Sequence, residues 1–170
     1  MDDLAASAIE EVKADLAVDA FSEFYLSFTP RLVNFLLWNG ARLVEAADIA
    51  QEAMRRAYEQ WDTIDHPKAW CRTVASREYG RRMTDVEIAT AEPPVLLLSY
   101  DPDVIEQRHE VLRRLRQLPP RQRQVLAWTY DGYSPTEIAE ELSISPEAVR
   151  SNLLKARRAL AKQLEEPDDA

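Results

Sequence analysis

The chain has 170 residues, 46% of them hydrophobic, and a net charge of −9, which is enough apolar material for packed cores and too much for wholesale disorder. Three glycines among abundant Ala, Leu, Glu and Arg favour helices over tight-turned sheet. A lone Cys71 excludes an internal disulfide, and the two isolated histidines, His66 and His109, give no metal-ligand spacing. The expectation is an all-α protein with no metal and no cofactor.

Residues 1–20 carry six acids and one Lys. Leu4, Ile9, Val12 and Leu16 in this acidic leader could form an amphipathic helix that packs on the segment after it or is bound by a regulator. No basic region followed by an apolar run opens the chain, and no stretch approaches the ~18 apolar residues a membrane span needs. A cytoplasmic chain without membrane insertion is expected. The remaining acidity sits mainly in 83–102 and 165–170, with four acids each and no base, so the blocks 21–82 and 103–164 are mildly basic.

The block 21–83 reads as three helices. Phe21, Phe24, Tyr25, Phe28, Leu32, Phe35 and Leu36 recur at helical spacing, with Pro30 either kinking one helix or separating two, and Gly40 ends the run. A second helix from about Val44 to Trp61 buries Ala46, Ala50, Ala53, Met54 and Ala57. A third, from about Pro67 to Arg82, buries Trp70, Val74 and Cys71. On the second helix Asp48, Gln51, Glu52 and Arg55 follow three-and-four spacing opposite the alanine stripe, so they share one polar face. The segment 84–102 holds three of the ten prolines and no helical period, and reads as an acidic, flexible linker. Its "VLLL" run at 95–98 would pack on a neighbouring domain or a partner.

The block 103–164 opens with a helix whose Val104, Val111, Leu112, Leu115 and Leu118 form an apolar face, broken by Pro119 and Pro120. A helix to Gly132 follows. Ser134, with Glu137 three residues on, is a capping box for the short helix "EIAEEL". After "SISP", Ser145 caps a second helix with Pro146 at its first position. In that helix Val149, Leu153, Ala156 and Leu160 make one buried stripe, which leaves Arg150, Ser151, Asn152, Lys155 and Arg158 on the remaining surface. Five bases and no acid lie between Ala148 and Lys162, a field suited to a phosphate backbone. Short helix, tight turn and basic second helix are the geometry of a helix-turn-helix. An acidic tail, 165–170, follows.

"LPPRQRQVLAWTYDGYSPTEIAEELSISPEAVRSNLLKARRAL" resembles region four of bacterial extracytoplasmic-function sigma factors, a group of the sigma-70 family. The match runs through Leu118, Pro119, Arg123, Val125, Gly132, Ser134, Glu137, Ile138, Ala139, Ser145, Val149, Ser151, Leu153, Ala156, Arg157 and Leu160. A response-regulator helix-turn-helix shares much of this pattern, so the first block decides. "DIAQEAMRRAYEQW" resembles the region-two helix of the same factors, and "HPKAWCRTVASREYGRR" resembles its continuation.

The resemblance implies two small helical domains, region two at 21–83 and region four at 103–164, and a protein that binds core RNA polymerase, selects promoters and assists their melting without being an enzyme itself. Asp48, Gln51, Glu52 and Arg55 would dock on the β′ clamp helices, and region four on the β flap. Thr63, Ile64, Asp65, His66 and Lys68 of the loop 62–68, with Arg72, Arg77 and Arg81, would hold the minus-ten element as a base is extruded. Glu147, Arg150, Ser151, Asn152, Lys155 and Arg158 would meet the minus-thirty-five element, with Arg150 and Asn152 as base readers. Trp61, Trp70 and Tyr79 are aromatic candidates near the minus-ten strand, the two tryptophans being better placed in the core. Arg77, Glu78 and Gly80 depart from the family pattern, Gly80 by interrupting its helix. An anti-sigma factor is an expected further partner. The rivals are a stand-alone repressor or activator and, poorly supported by motifs, a hydrolase.

Overall fold

The computed structural model describes the backbone of residues 2–85 and 102–165, and side chains from 16 to 83 and from 107 to 165. Among these residues every regular element is helical: α1 Asp2–Trp38, α2 Leu43–Glu59, a single 3-10 turn Trp61–Thr63, α3 Pro67–Asp85, α4 Pro102–Arg116, α5 Pro120–Tyr130, α6 Pro135–Leu142 and α7 Pro146–Glu165. The all-α class is as the composition implied. The "VLLL" run and the acidic linker, apart from its two ends, lie outside the described residues.

α1 runs unbroken through Pro30. A proline in a helix interior forfeits one hydrogen bond and crowds the carbonyl four residues back, here that of Leu26, whose side chain is exposed. The Thr29 hydroxyl, donating to the Tyr25 carbonyl at 2.6 Å, takes up a neighbouring acceptor. The helix stops at Gly40, where φ is +101° and the Gly40 and Ala41 amides close back on Leu37 and Leu36, each at 3.0 Å. An L side chain rarely adopts this backbone conformation, so glycine belongs here. The leader is thus continuous in backbone with the helix after it.

α1, α2 and α3 pack around the small residues Ala46, Ala50, Ala53 and Ala57, which let the helix axes approach closely, with Phe28, Leu32, Leu36, Ile49 and Met54 filling the space between. In α3 the buried face is Cys71, Ala75 and Tyr79, while Trp70 and Val74 are only half-buried. Tyr79, a candidate for contact with the minus-ten strand, is therefore a core residue. Gly80 does not interrupt α3, which continues to Asp85.

In the second half Leu112, Leu115 and Leu118 of α4 and its exit face Val125, Trp128, Ile138, Val149, Leu153 and Ala156 in the core, whereas Val111 is exposed. The buried residues of both halves form one continuous cluster. Phe35 of α1 meets Trp128 of α5 edge-on at 5.2 Å, and Trp38 stacks on Tyr130 with centroids 4.1 Å apart.

Candidate functional site

The α2 set is assembled as its spacing requires. Asp48, Gln51 and Arg55 are exposed, Glu52 is half-buried, and Arg56, Glu78 and Arg82 join them around an open polar groove of about 590 Å³ between α2 and α3. Glu52 accepts a fork of bonds from Arg55, Nε at 2.9 Å and Nη2 at 2.8 Å, and a third from Arg56 Nε at 2.7 Å. These bonds lower its pKa to about 2 and raise that of Arg55, so both stay charged throughout the ordinary pH range. Arg55 also reaches Glu59. Glu78, one of the family departures, binds Arg81 at 2.6 Å and Arg82 at 3.3 Å. Arg56 joins the polar face from α2 itself, four residues after Glu52, and Glu78 and Arg82 of α3 extend it beyond the residues that spacing on one helix could identify.

The loop set divides. Thr63, Asp65, His66 and Lys68 are exposed, as are Arg77 and Arg81 on α3, while Ile64 is half-buried beneath them. Thr63 is fixed through its hydroxyl to the Gln60 carbonyl at 2.8 Å. Arg72 stands apart: it is buried, paired with Asp131 from the other half of the chain, and lies over the rings of Phe28 at 4.7 Å and Tyr133 at 5.4 Å. Phe24, Asp65, His66, Pro67, Lys68 and Ala69 line an apolar groove of about 480 Å³ whose remaining wall is Tyr133.

The recognition-helix set rests on well-defined caps. Ser134 Oγ accepts from the Glu137 amide at 3.3 Å while the Glu137 carboxylate accepts from the Ser134 amide at 2.8 Å. The Ser134 hydroxyl, donating to the Glu137 carboxylate at 2.6 Å, and then the Ser134 amide hold that carboxyl below its ordinary range. The turn passes through Ser143 at φ +53°, and Ser145 Oγ receives the Ala148 amide at 3.1 Å to start α7. Glu147, Arg150, Ser151, Lys155 and Arg158 are exposed on α7, as is Arg157, which belongs to the same basic surface. Arg150 is paired with Glu147 at 2.8 Å. Asn152 folds its amide back on the Ala148 carbonyl at 2.8 Å, which leaves its carboxamide oxygen and second N–H to face a ligand.

Residues that sequence reading left unassigned join the two halves. Besides Asp131 and Tyr133 they include Glu141, which accepts from the Thr73 hydroxyl, and Gln124, which donates to Ser76 Oγ at 3.3 Å. No local pattern marks them, since each partner lies at least 48 positions away. Among the described residues no cluster of His, Cys, Asp and Glu could hold a metal, and no helix is long and apolar enough to cross a membrane.

Residues 108–160 match the family described as Sigma-70, region 4. The chain is 28% identical over 167 residues to the ECF RNA polymerase sigma factor SigW of Bacillus subtilis (strain 168), spanning 86% of this chain and 89% of that protein. Its fold is that of the sigma factor RpoE solved with the anti-sigma factor NepR from Bartonella quintana, with a TM-score of 0.68 at 21% identity over 89% of this chain and 99% of the other. CnrH, solved with the cytosolic domain of CnrY, shares it at a TM-score of 0.63 and 21% identity, over 92% and 96% of the two chains.

Proposed function

We infer the working parts of this chain from the family to which it belongs, the extracytoplasmic-function group of sigma-70 factors: it binds core RNA polymerase, directs it to specific promoters and assists their melting. One observation carries this reading. A single chain presents both a polar α2 face built on Asp48, Gln51, Glu52 and Arg55 and a basic helix-turn-helix that matches region four. Sigma factors are generally non-enzymatic, and this chain leaves RNA synthesis to the polymerase.

The α2 face docks on the β′ clamp helices, and region four on the β flap. The fixed Glu52–Arg55–Arg56 array favours docking because its charges are already held in one geometry, so little side-chain freedom is lost on binding. The exposed loop residues Thr63, Asp65, His66 and Lys68, with Arg77, Arg81 and, once uncovered, Arg72, hold the minus-ten strand. Glu147, Arg150, Ser151, Asn152, Lys155 and Arg158 meet the minus-thirty-five duplex; the basic side chains set affinity through phosphate, and Arg150 and Asn152 read base edges. The work is cytoplasmic, and an anti-sigma factor that clasps both regions is the expected inhibitor.

Transcription by purified bacterial core polymerase on a pool of host genomic fragments, with and without the chain, tests the reading. Chain-dependent transcripts sharing upstream elements support it. Their absence, together with a footprint of the chain alone on a palindromic duplex, would replace it with a stand-alone repressor or activator.

A further inference from the structure

Between Pro67 and Thr84 five cationic side chains, Lys68, Arg72, Arg77, Arg81 and Arg82, share α3 with a single acid, Glu78, which departs from the family pattern. At about 100° of turn per residue, the order around the helix is Arg77, Arg81, Glu78, Arg82. Arg77 and Arg81 are on the exposed side assigned to the minus-ten strand, and Arg82 lines the groove shared with α2. Glu78 stands half-buried at the border of these two surfaces. Its two oxygens are divided between them: Oε2 accepts from Arg81 Nη2 at 2.6 Å, and Oε1 accepts from Arg82 Nε at 3.3 Å.

The unequal lengths decide which arginine the carboxylate serves. A charge-assisted bond is strong when it is short, so Glu78 acts mainly on Arg81, the guanidinium that faces the strand. A phosphate arriving at Arg81 meets a charge already neutralised and a donor already in use. The Arg81 side chain is 64% exposed, so water and salt screen the pair and its effect on binding is modest. That effect is nevertheless the same for every strand, because phosphate carries no sequence information.

We propose that Glu78 is an attenuator of the minus-ten surface: it holds Arg81 against phosphate, so that backbone contacts contribute less, and base contacts a larger share, to retaining the opened strand. The inference rests on the sigma-factor reading. It gives the one acid of this basic helix a role in the balance between sequence-independent and base-dependent binding, and none in which base is preferred.

The test uses holoenzyme reconstituted from core polymerase and the full chain, wild-type or Glu78→Gln, purified so that every complex carries the chain. The probe is a fluorescent promoter fragment, taken from a chain-dependent transcript, whose minus-ten region is unpaired; a second fragment has that region scrambled. Releasing Arg81 adds about one phosphate contact on a single strand, so Glu78→Gln should tighten binding about threefold at low salt and steepen the log–log salt slope by about 0.7. Both fragments should gain by the same factor. In an Arg81→Gln background the substitution should give no gain. Unchanged or weaker binding, an unchanged slope, a gain confined to one fragment, or a gain that persists without Arg81 would overturn the proposal. If the Glu78→Gln chain forms no holoenzyme, Glu78→Ala replaces it and is judged by the same outcomes; failure of both would make Glu78 a structural or docking residue and end the proposal. If the wild-type chain supports no transcription, the sigma-factor reading falls and the attenuator with it, whereas transcription without the expected gain removes the attenuator alone.

Discussion

At the scale of single residues, charge is held where hydrogen bonds hold it. Glu52 has its pKa depressed from an ordinary 4.5 to about 2 by Arg55 and then Arg56, so its contribution is fully present above pH 4.5 and lost as pH falls through about 2. Core-polymerase binding, followed by fluorescence anisotropy between pH 8 and pH 5, should therefore show no titration of Glu52. Glu52→Gln should weaken binding about tenfold across that whole range by removing the charge that aligns Arg55. Cys71 behaves in the opposite sense: burial pushes its thiol up to about 12, so it stays protonated at pH 8. An aromatic disulfide reagent should label it only as fast as the chain unfolds, and addition of urea should bring labelling to completion. A fast reaction in the native chain would place the thiol outside the core. The position of Glu52 and its bond from Arg56, four residues on, follow from three-and-four spacing on α2, whereas the groove wall formed by Glu78 and Arg82 depends on how α3 lies beside α2.

At the scale of elements, two glycines have opposite meanings. Gly80 lies inside α3, and an added Cβ would meet nothing within 4 Å, so Gly80→Ala should stabilise the chain by about 0.5–1 kcal/mol in urea unfolding through reduced backbone freedom of the unfolded state. At Gly40 a Cβ would fall 2.9 Å from the Arg123 guanidinium carbon, on a backbone already at φ +101°. Gly40→Ala should cost roughly 1–3 kcal/mol by the same measurement. Sequence identified Gly40 as a helix end from its position after the aromatic run, but the close approach of Arg123 from α5 was invisible there. On α7, Lys155→Ala and Arg158→Ala should each reduce the magnitude of the salt slope of promoter binding by the holoenzyme by about 1, with little change in which promoters are chosen. A change in promoter choice would make them base readers instead.

For the whole molecule, the shared core governs. Trp128, fully buried, meets Phe35 of α1 on one side and Tyr133 on the other, so its side chain belongs to both halves. Urea unfolding should show one transition, and Trp128→Ala should lower stability by about 3–5 kcal/mol through the cavity it leaves. Two separate transitions in the wild-type chain would mean that the halves do not unfold together. Arg123 adds a polar element to the same contact: it is buried, donates to the Arg116 carbonyl at 2.8 Å and lies against Gly40. A sequence pattern could suggest that Arg123 is structural but not that Gly40, at the end of α1, would be its neighbour.

The sequence alone determined what local rules can reach. Helical class followed from composition and spacing, the capping box, N-cap and turn of the helix-turn-helix from side chains three residues apart or fewer, and the basic face of α7 from its periodicity. Resemblance of two separate stretches then pointed to the sigma-factor family. The tertiary structure decided what depends on distant pairing: the continuity of α1 through Pro30, the core position of Tyr79, and above all the burial of Arg72 against Asp131 and Tyr133. Those partners are some sixty residues apart along the chain. Local periodicity gives the face a residue occupies on its own helix, while the element that covers that face is chosen by the packing of the whole chain.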